Sequence, residues 1–394
     1  MSSSKFDIVV YGATGFTGQL VAEYLAAHYK GDANLKWAMA GRSKDKLAAV
    51  RDAIGAASDT PLIVADANDP ASLKAMVAQT RSVITTVGPY QLYGSDLVAA
   101  CVAGGVDYFD LCGEPVWMRQ MIDAQEATAK STGARIMFSC GFDSLPFELG
   151  VFCAQEEAKK VFGTAASRVK TRIRNATLAF SGGTFASAKA SFAAAAKDLS
   201  LVAMLQNHFA LTPGFEGPKQ PRANKPMLDE DVGQWAAPFV MASINTRNVH
   251  RSNMLMNFPY GKDLVYDEMI LTGVGEQGEA NAKRVVAAVN AERIGAVNAM
   301  KPGEGPSKEE RENGHYDLLF VAIAPDGNQA RAVVRGDRDP GYGSTSKMIS
   351  ECAICLLHDT PEVPAGIWTP GAAMGHKLIK RLTDHAGLTF AVEK

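Results

Sequence analysis

An α/β architecture is predicted for this chain: a doubly wound parallel sheet first, then a second α+β domain on a mostly antiparallel sheet. Three observations predict it. Strand and helix patterns alternate through the first 150 residues, the arrangement that right-handed βαβ units require. A glycine turn, Gly12-Ala13-Thr14-Gly15-Phe16-Thr17-Gly18, joins the first strand pattern to the first helix pattern. From residue 168 the strand patterns grow long, and two of them are joined by a tight turn, which favours antiparallel pairing.

In order, Phe6-Asp7-Ile8-Val9-Val10-Tyr11 is apolar and β-branched, so it reads as a buried strand. After the glycine turn, residues 19–27 carry apolar positions at helical spacing. Further strands are expected at 37–40, 62–65, 83–87, 108–111 and 135–138, with helices at 44–56, 70–79, 94–104 and 114–131. The second domain opens with one long strand over 168–180. Ser181-Gly182-Gly183-Thr184 breaks that strand and starts an alanine-rich helix reaching to about Asn207. Residues 212–226 carry repeated Pro and Gly and read as an irregular excursion or lid. Strands follow at 263–273, 315–324 and 329–336, the last two joined by Pro325-Asp326-Gly327. Helices at 344–358 and 372–385 end the chain. The expected division is 1–150, then 151–340, then a 341–394 tail packing back on the first domain.

Bulk composition narrows the function. A net charge of −2 gives no electrostatic reason to expect nucleic acid or an anionic membrane as partner. Ser2-Ser3-Ser4-Lys5 leads straight into the first strand, so no signal peptide is expected. The longest apolar stretch, near 191–205, is interrupted by Lys197 and Asp198. A cytoplasmic protein is the expectation. Cys352 and Cys355 form a C-x-x-C within a helical pattern, with no second pair or His cluster beside it. They read as core thiols, and no metal is expected.

The glycine turn is a candidate phosphate cradle. Gly12 permits the turn, Gly15 lets a pyrophosphate approach the backbone, and Gly18 lets helix and strand pack closely, while the helix N-terminus attracts anions. Backbone donors of Thr14, Phe16 and Thr17 belong to the same cradle. The second strand ends in Ala40-Gly41-Arg42-Ser43, with Arg42 where an NAD site usually carries a carboxylate. A guanidinium there suits a 2′-phosphate, so NADP(H) is the expected cofactor, with Ser43 as an added donor. Asp66 either accepts from the adenine amino group or caps the next helix, although Asp69 is better placed for capping. Val87-Gly88-Pro89-Tyr90 closes the fourth strand at the edge where such sheets bind ligands. Tyr90 and Tyr93 either face the reacting ring or simply pack.

These stretches resemble the saccharopine dehydrogenase-like oxidoreductase family, most of all its trans-acting enoyl reductase branch. Tyr108-Phe109-Asp110-Leu111-Cys112-Gly113-Glu114, Cys140-Gly141-Phe142-Asp143-Ser144-Leu145-Pro146, Gly182-Gly183-Thr184 with Ser187, Arg251-Ser252 and Gly366-Ile367-Trp368-Thr369-Pro370 extend the similarity over most of the chain. The resemblance implies a Rossmann domain whose second domain covers the nicotinamide. It also implies hydride transfer to an activated, hydrophobic double bond, which brings in lipid metabolism. The partners expected are a small acyl substrate, peripheral contact with a lipid or acyl carrier, and a second copy in a homodimer. Catalytic candidates are Tyr90, Tyr93 and Asp143. Glu114 is a weaker candidate because a helix start explains it. Substrate-binding candidates are Gly182, Gly183, Thr184 and Arg251. An opine-type amino-acid dehydrogenase and a non-catalytic NADPH-binding regulator are the alternatives.

Overall fold

The computed structural model describes residues 4–177, 186–187, 190, 198–293 and 303–394. The first sheet is parallel throughout and contains β1 (Phe6–Tyr11), β2 (Trp37–Gly41), β3 (Leu62–Val64), β4 (Thr80–Thr85), β5 (Asp107–Phe109), β6 (Arg135–Met137) and β13 (Gly366–Trp368). Its order is β13-β6-β5-β4-β1-β2-β3, so the winding reverses between β4 and β1. Strands of this kind are covered on both faces, and β1 is accordingly buried along almost all its length. On one face Val9, Val83 and Tyr108 pack with the helices Pro70–Val77, Ser95–Gly104 and Pro115–Thr132.

The opposite face shares its core with the second sheet. Ile8, Val10 and Phe109 belong to one apolar cluster with Leu318, Phe320 and Val334. The second sheet contains β7 (Arg168–Ala176), β8 (Met227–Asp229), β9 (Gln234–Pro238), β10 (Val265–Gly273), β11 (Tyr316–Ile323), β12 (Gln329–Gly336) and β14 (Leu388–Glu393), in the order β14-β12-β11-β7-β10-β9-β8. Only β7 and β10 run parallel. The expected fold class is therefore what the chain adopts. Period-two alternation in β7 sends Val169 and Ile173 into the core and Lys170, Arg172 and Arg174 to the other face. There Arg172 is wholly buried against Asp229 (2.5 Å) and Asp267 (3.1 Å).

Several details depart from expectation. β4 starts at Thr80, and its regular pairing ends at Thr85 rather than Val87. The helix expected over 344–358 is α-helical only over Thr345–Ile354, then widens into a π turn over Cys355–Asp359. Cys352 and Cys355 are both buried in the core. The tail serves both sheets: β13 extends the first beside β6, and β14 pairs with β12 in the second. The break at Gly182-Gly183-Thr184 lies outside the described residues, as does most of the alanine-rich helix, whose described end is Leu199–Gln206. Among the described residues no helix is long and apolar enough to cross a membrane.

Candidate cofactor and active site

The carboxyl edge of the first sheet gathers the loops after β1, β2, β3, β4 and β6. Gly12 has φ +88°, and a Cβ on it would lie 2.8 Å from Val87 Cγ2. A Cβ on Gly18 would lie 2.1 Å from the Gly12 carbonyl oxygen, so the helix Phe16–His28 presses directly on the turn. Gly15 is its N-cap, with no side chain satisfying the first turn and no acidic residue there. The leading N–H groups of Phe16, Thr17 and Gly18 thus form an anion cradle at the positive end of the helix dipole. Thr14 supplies its carbonyl to Gln19 Nε2 (3.0 Å). The Phe16 ring is turned away into a contact with Tyr342 (5.2 Å between ring centres) and under the Arg311 guanidinium, leaving only its backbone for a ligand.

Arg42 is exposed and forms no hydrogen bond or ion pair among the described residues. Ser43 caps the next helix by accepting from Lys46 N–H (3.3 Å), which leaves its own hydroxyl hydrogen free to donate. Asp69 is the N-cap of helix Pro70–Val77, so Asp66 is released from that role. It accepts instead from Asn68 N–H (2.9 Å). Burial pushes the Tyr11 hydroxyl up to about 12, the Asp66 carboxylate adding to the shift and Arg42 opposing it. Arg42 and Asp66 thus act on the same strand end. The residues present fit a dinucleotide carrying a 2′-phosphate.

At the end of β4, Val87 N–H donates to Thr85 Oγ1 (3.2 Å), and the Gly88 position lies beside Ser187. Tyr90 departs from the expectation of a catalytic or ring-facing role. It is buried, its hydroxyl donates to the Thr85 carbonyl and accepts from Leu111 N–H (3.1 Å), and its ring packs on Trp117. Pro89 starts the short helix Tyr90–Tyr93, whose first N–H groups, from Tyr90 and Gln91, are received by the Glu114 carboxylate (2.9 and 2.8 Å). Glu114 is thereby occupied as a helix cap. Tyr93 stands 38% exposed beside the exposed Leu92.

Asp143 follows β6. It is half-buried, its Oδ1 has no partner among the described residues, and burial pushes its carboxyl up to about 7. Arg251 is buried and spends both terminal nitrogens on the carbonyls of Leu211 (2.8 Å) and Ile367 (2.6 Å), leaving its Nε without a partner among the described residues. Gly182, Gly183 and Thr184 lie outside the described residues. Composition gave no sign of the helix Ala242–Leu255, whose Asn245, Asn248, His250 and Ser252 are all buried. Its unpartnered atoms include Asn245 Oδ1 and Asn248 Oδ1. Glu268 on β10 is wholly buried opposite it, accepting from Asn245 Nδ2 (2.9 Å) and Tyr266 Oη (2.8 Å), and burial pushes its carboxyl up to about 8. A buried polar residue without a repeat pattern leaves no trace in periodicity, so only the fold reveals this group.

Residues 8–137 match the saccharopine dehydrogenase NADP-binding domain family. The chain is 39% identical to a Mycobacterium tuberculosis protein provisionally named a trans-acting enoyl reductase, over 96% of this chain and 95% of that one. It is 36% identical to the trans-acting enoyl reductase of Mycobacterium ulcerans, over 97% of each. In fold it is similar to the saccharopine dehydrogenase of Saccharomyces cerevisiae, with TM-score 0.54 and 12% identity over 99% of this chain and all of that one. The glycine cradle, the exposed Arg42 and these full-length likenesses agree: the chain is an NADP(H)-binding oxidoreductase of the saccharopine dehydrogenase-like family, in the branch of the trans-acting enoyl reductases.

Proposed function

We propose that this oxidoreductase reduces a carbon–carbon double bond in a hydrophobic enoyl substrate, with Asp143 as proton donor. The observation that carries this reading is the Asp143 carboxyl. It sits at the carboxyl edge of the sheet with one oxygen unpartnered, and it is held near 7, so that much of it is protonated at neutral pH. NADPH supplies the hydride when bound. The chain's own groups do the rest. Backbone donors of Phe16, Thr17 and Gly18 would hold its pyrophosphate, Arg42 and Ser43 its 2′-phosphate, and Asp66 would accept from its adenine. Gly88 and Pro89 would lie on the nicotinamide side. The carbon next to the substrate carbonyl takes its proton from Asp143, which is left as the carboxylate and recovers a proton from solvent.

The enoyl assignment draws on the names of the relatives and on the fate of the second-domain cations. An opine-type substrate carries several carboxylates and needs free Arg or Lys. Here Arg172 and Arg174 are ion-paired on the far face of the second sheet, to Asp229 and Asp267 and to Glu393. Arg247 and Arg251 donate to backbone carbonyls. The exposed Leu92 and Tyr93 beside Pro89 suit an acyl chain presented by a lipid or acyl carrier. The test is NADPH oxidation with a medium-chain trans-2-enoyl thioester, set against an amino acid plus a 2-oxo acid. Turnover of the thioester, lost in Asp143→Asn, is expected. Turnover of the second pair alone would replace the reading with the amino-acid dehydrogenase.

A further inference from the structure

Among the described residues Asp143 Oδ1 touches no donor, so the position of this carboxyl has to be set by its neighbours. The loop that carries it is held from several sides. Cys140 N–H donates to the Asp110 carbonyl (2.8 Å), Phe142 N–H to Thr345 Oγ1 (3.0 Å), and Leu145 N–H to the Gly141 carbonyl (2.9 Å). The remaining tie is unusual. Ser144 is the N-cap of helix Leu145–Phe162, where a serine hydroxyl ordinarily accepts an N–H of the first turn, yet no such bond forms. Its Oγ accepts instead from Asn248 Nδ2 (2.8 Å). A stabilising cap has been given up for a bond to a buried asparagine on another helix.

That asparagine belongs to a chain running to the second sheet. Asn245 and Asn248 are three residues apart and share one face of helix Ala242–Leu255. Asn248 reaches Ser144, and Asn245 reaches Glu268, which also accepts from Tyr266; Tyr266 in turn meets Thr171 Oγ1 at 2.8 Å. The far end of this chain is electrostatically aware of the near end, since the Asp143 carboxylate adds to the upward push on Glu268. The amide oxygens of both asparagines and Asp143 Oδ1 are buried with no donor, so an apolar helix face would pack there at lower cost. Buried polar groups kept in that state fit a requirement for geometry.

We propose that Asn248, anchored through Asn245 to Glu268, is a positioning residue that holds Ser144 and so aims the Asp143 carboxyl at the substrate. This rests on Asp143 being the proton donor. The test compares Asn248→Leu, Ser144→Ala and their combination with wild type, in NADPH oxidation by the trans-2-enoyl thioester. Each single change is expected to lower kcat about tenfold or more, the size that a small misalignment produces. NADPH affinity should stay within about twofold. The effect of D2O on kcat should grow, because proton transfer becomes the slower step. Since both changes break one bond, the double variant should be no worse than the poorer single.

A wild-type kcat and D2O effect in Asn248→Leu would overturn the proposal, and so would multiplicative losses in the double variant. Should Asn248→Leu fail to fold, Ser144→Ala alone decides, because it removes the same contact by deleting one hydroxyl. Failure of the underlying reading looks different: Asp143→Asn would then keep its turnover whatever Asn248 does.

Discussion

Replacing Arg42 by alanine should convert an NADPH-preferring protein into one nearly indifferent to the 2′-phosphate. Arg42 is exposed and, among the described residues, spends its guanidinium on no other residue, so truncation removes a ligand contact without opening the core. A hydrogen bond to a charged group contributes about 1.5–3 kcal/mol. Exposure to solvent pulls the value toward the lower end of that range. The loss in NADPH affinity is therefore about 10- to 100-fold. NADH, with a hydroxyl in that position, should bind as before. A fluorescence titration of both nucleotides with both proteins measures this directly. Salt provides an internal check: between about 0.1 and 1 M the screening length falls from about 10 to about 3 Å. Wild-type preference should shrink over that range, and the variant's should hardly move. If Arg42→Ala keeps a strong NADPH preference, the 2′-phosphate is held by another group and the reasoning from the end of β2 fails.

Gly18→Ala would drive a methyl to 2.1 Å from the Gly12 carbonyl, so helix and turn must part. A loss of about 1–3 kcal/mol in stability is expected by thermal or denaturant unfolding, together with loss of nucleotide binding. Arg251→Met should strand the Leu211 and Ile367 carbonyls and cost about 2–4 kcal/mol in the same assay, while substrate KM in any surviving protein stays near wild type. With Asp143 protonated in the active form, kcat should fall as pH rises through about 7, and a kcat profile that stays flat from about pH 5 to about pH 9 would count against the donor assignment. Glu268 gives a stability signature. Its folded carboxyl is held near 8 against about 4.3 in the unfolded chain, so the folded state binds the extra proton between those values. Its contribution is complete below about 4.3 and is lost as pH rises through about 8. Glu268→Gln should flatten that part of the stability profile, and an unchanged slope in denaturant titrations would show that the carboxyl is not held neutral.

The first half of the molecule was legible because each of its signals is local. β1, the glycine turn and helix Phe16–His28 are contiguous, and a strand covered on both faces declares itself as an unbroken apolar run. Arg42 was legible for the same reason, being the next residue after β2. What stayed hidden depends on contacts distant in sequence. Tyr90 looks catalytic beside Gly88 and Pro89, and only the fold shows its hydroxyl taken up by Thr85 and Leu111. Arg251 looks like an anion ligand until Leu211 and Ile367 are seen to occupy it. β13 is three residues long and pairs with β6 across more than two hundred positions, so its apolar pattern is too short to detect alone.

Helix Ala242–Leu255 ties elements of both sheets together. A helix joining two apolar layers would normally present a continuous apolar stripe. This one presents polar side chains on more than one face, and they are spent on joining elements: Arg251 to β13, Ser252 to Glu148 and Thr369, Asn248 to the loop after β6, Asn245 to β10. Removing one partner of such a bond leaves the other buried and unsatisfied, which is why each contact resists slippage more than an apolar contact would. Apolar packing tolerates small shifts between layers, whereas hydrogen bonds of 2.6–2.9 Å between fixed atoms do not. The glycine turn and Arg42 sit on loops of the first sheet. The group that would deliver the proton stands where that sheet meets this helix, so its alignment depends on the second sheet as much as on the first.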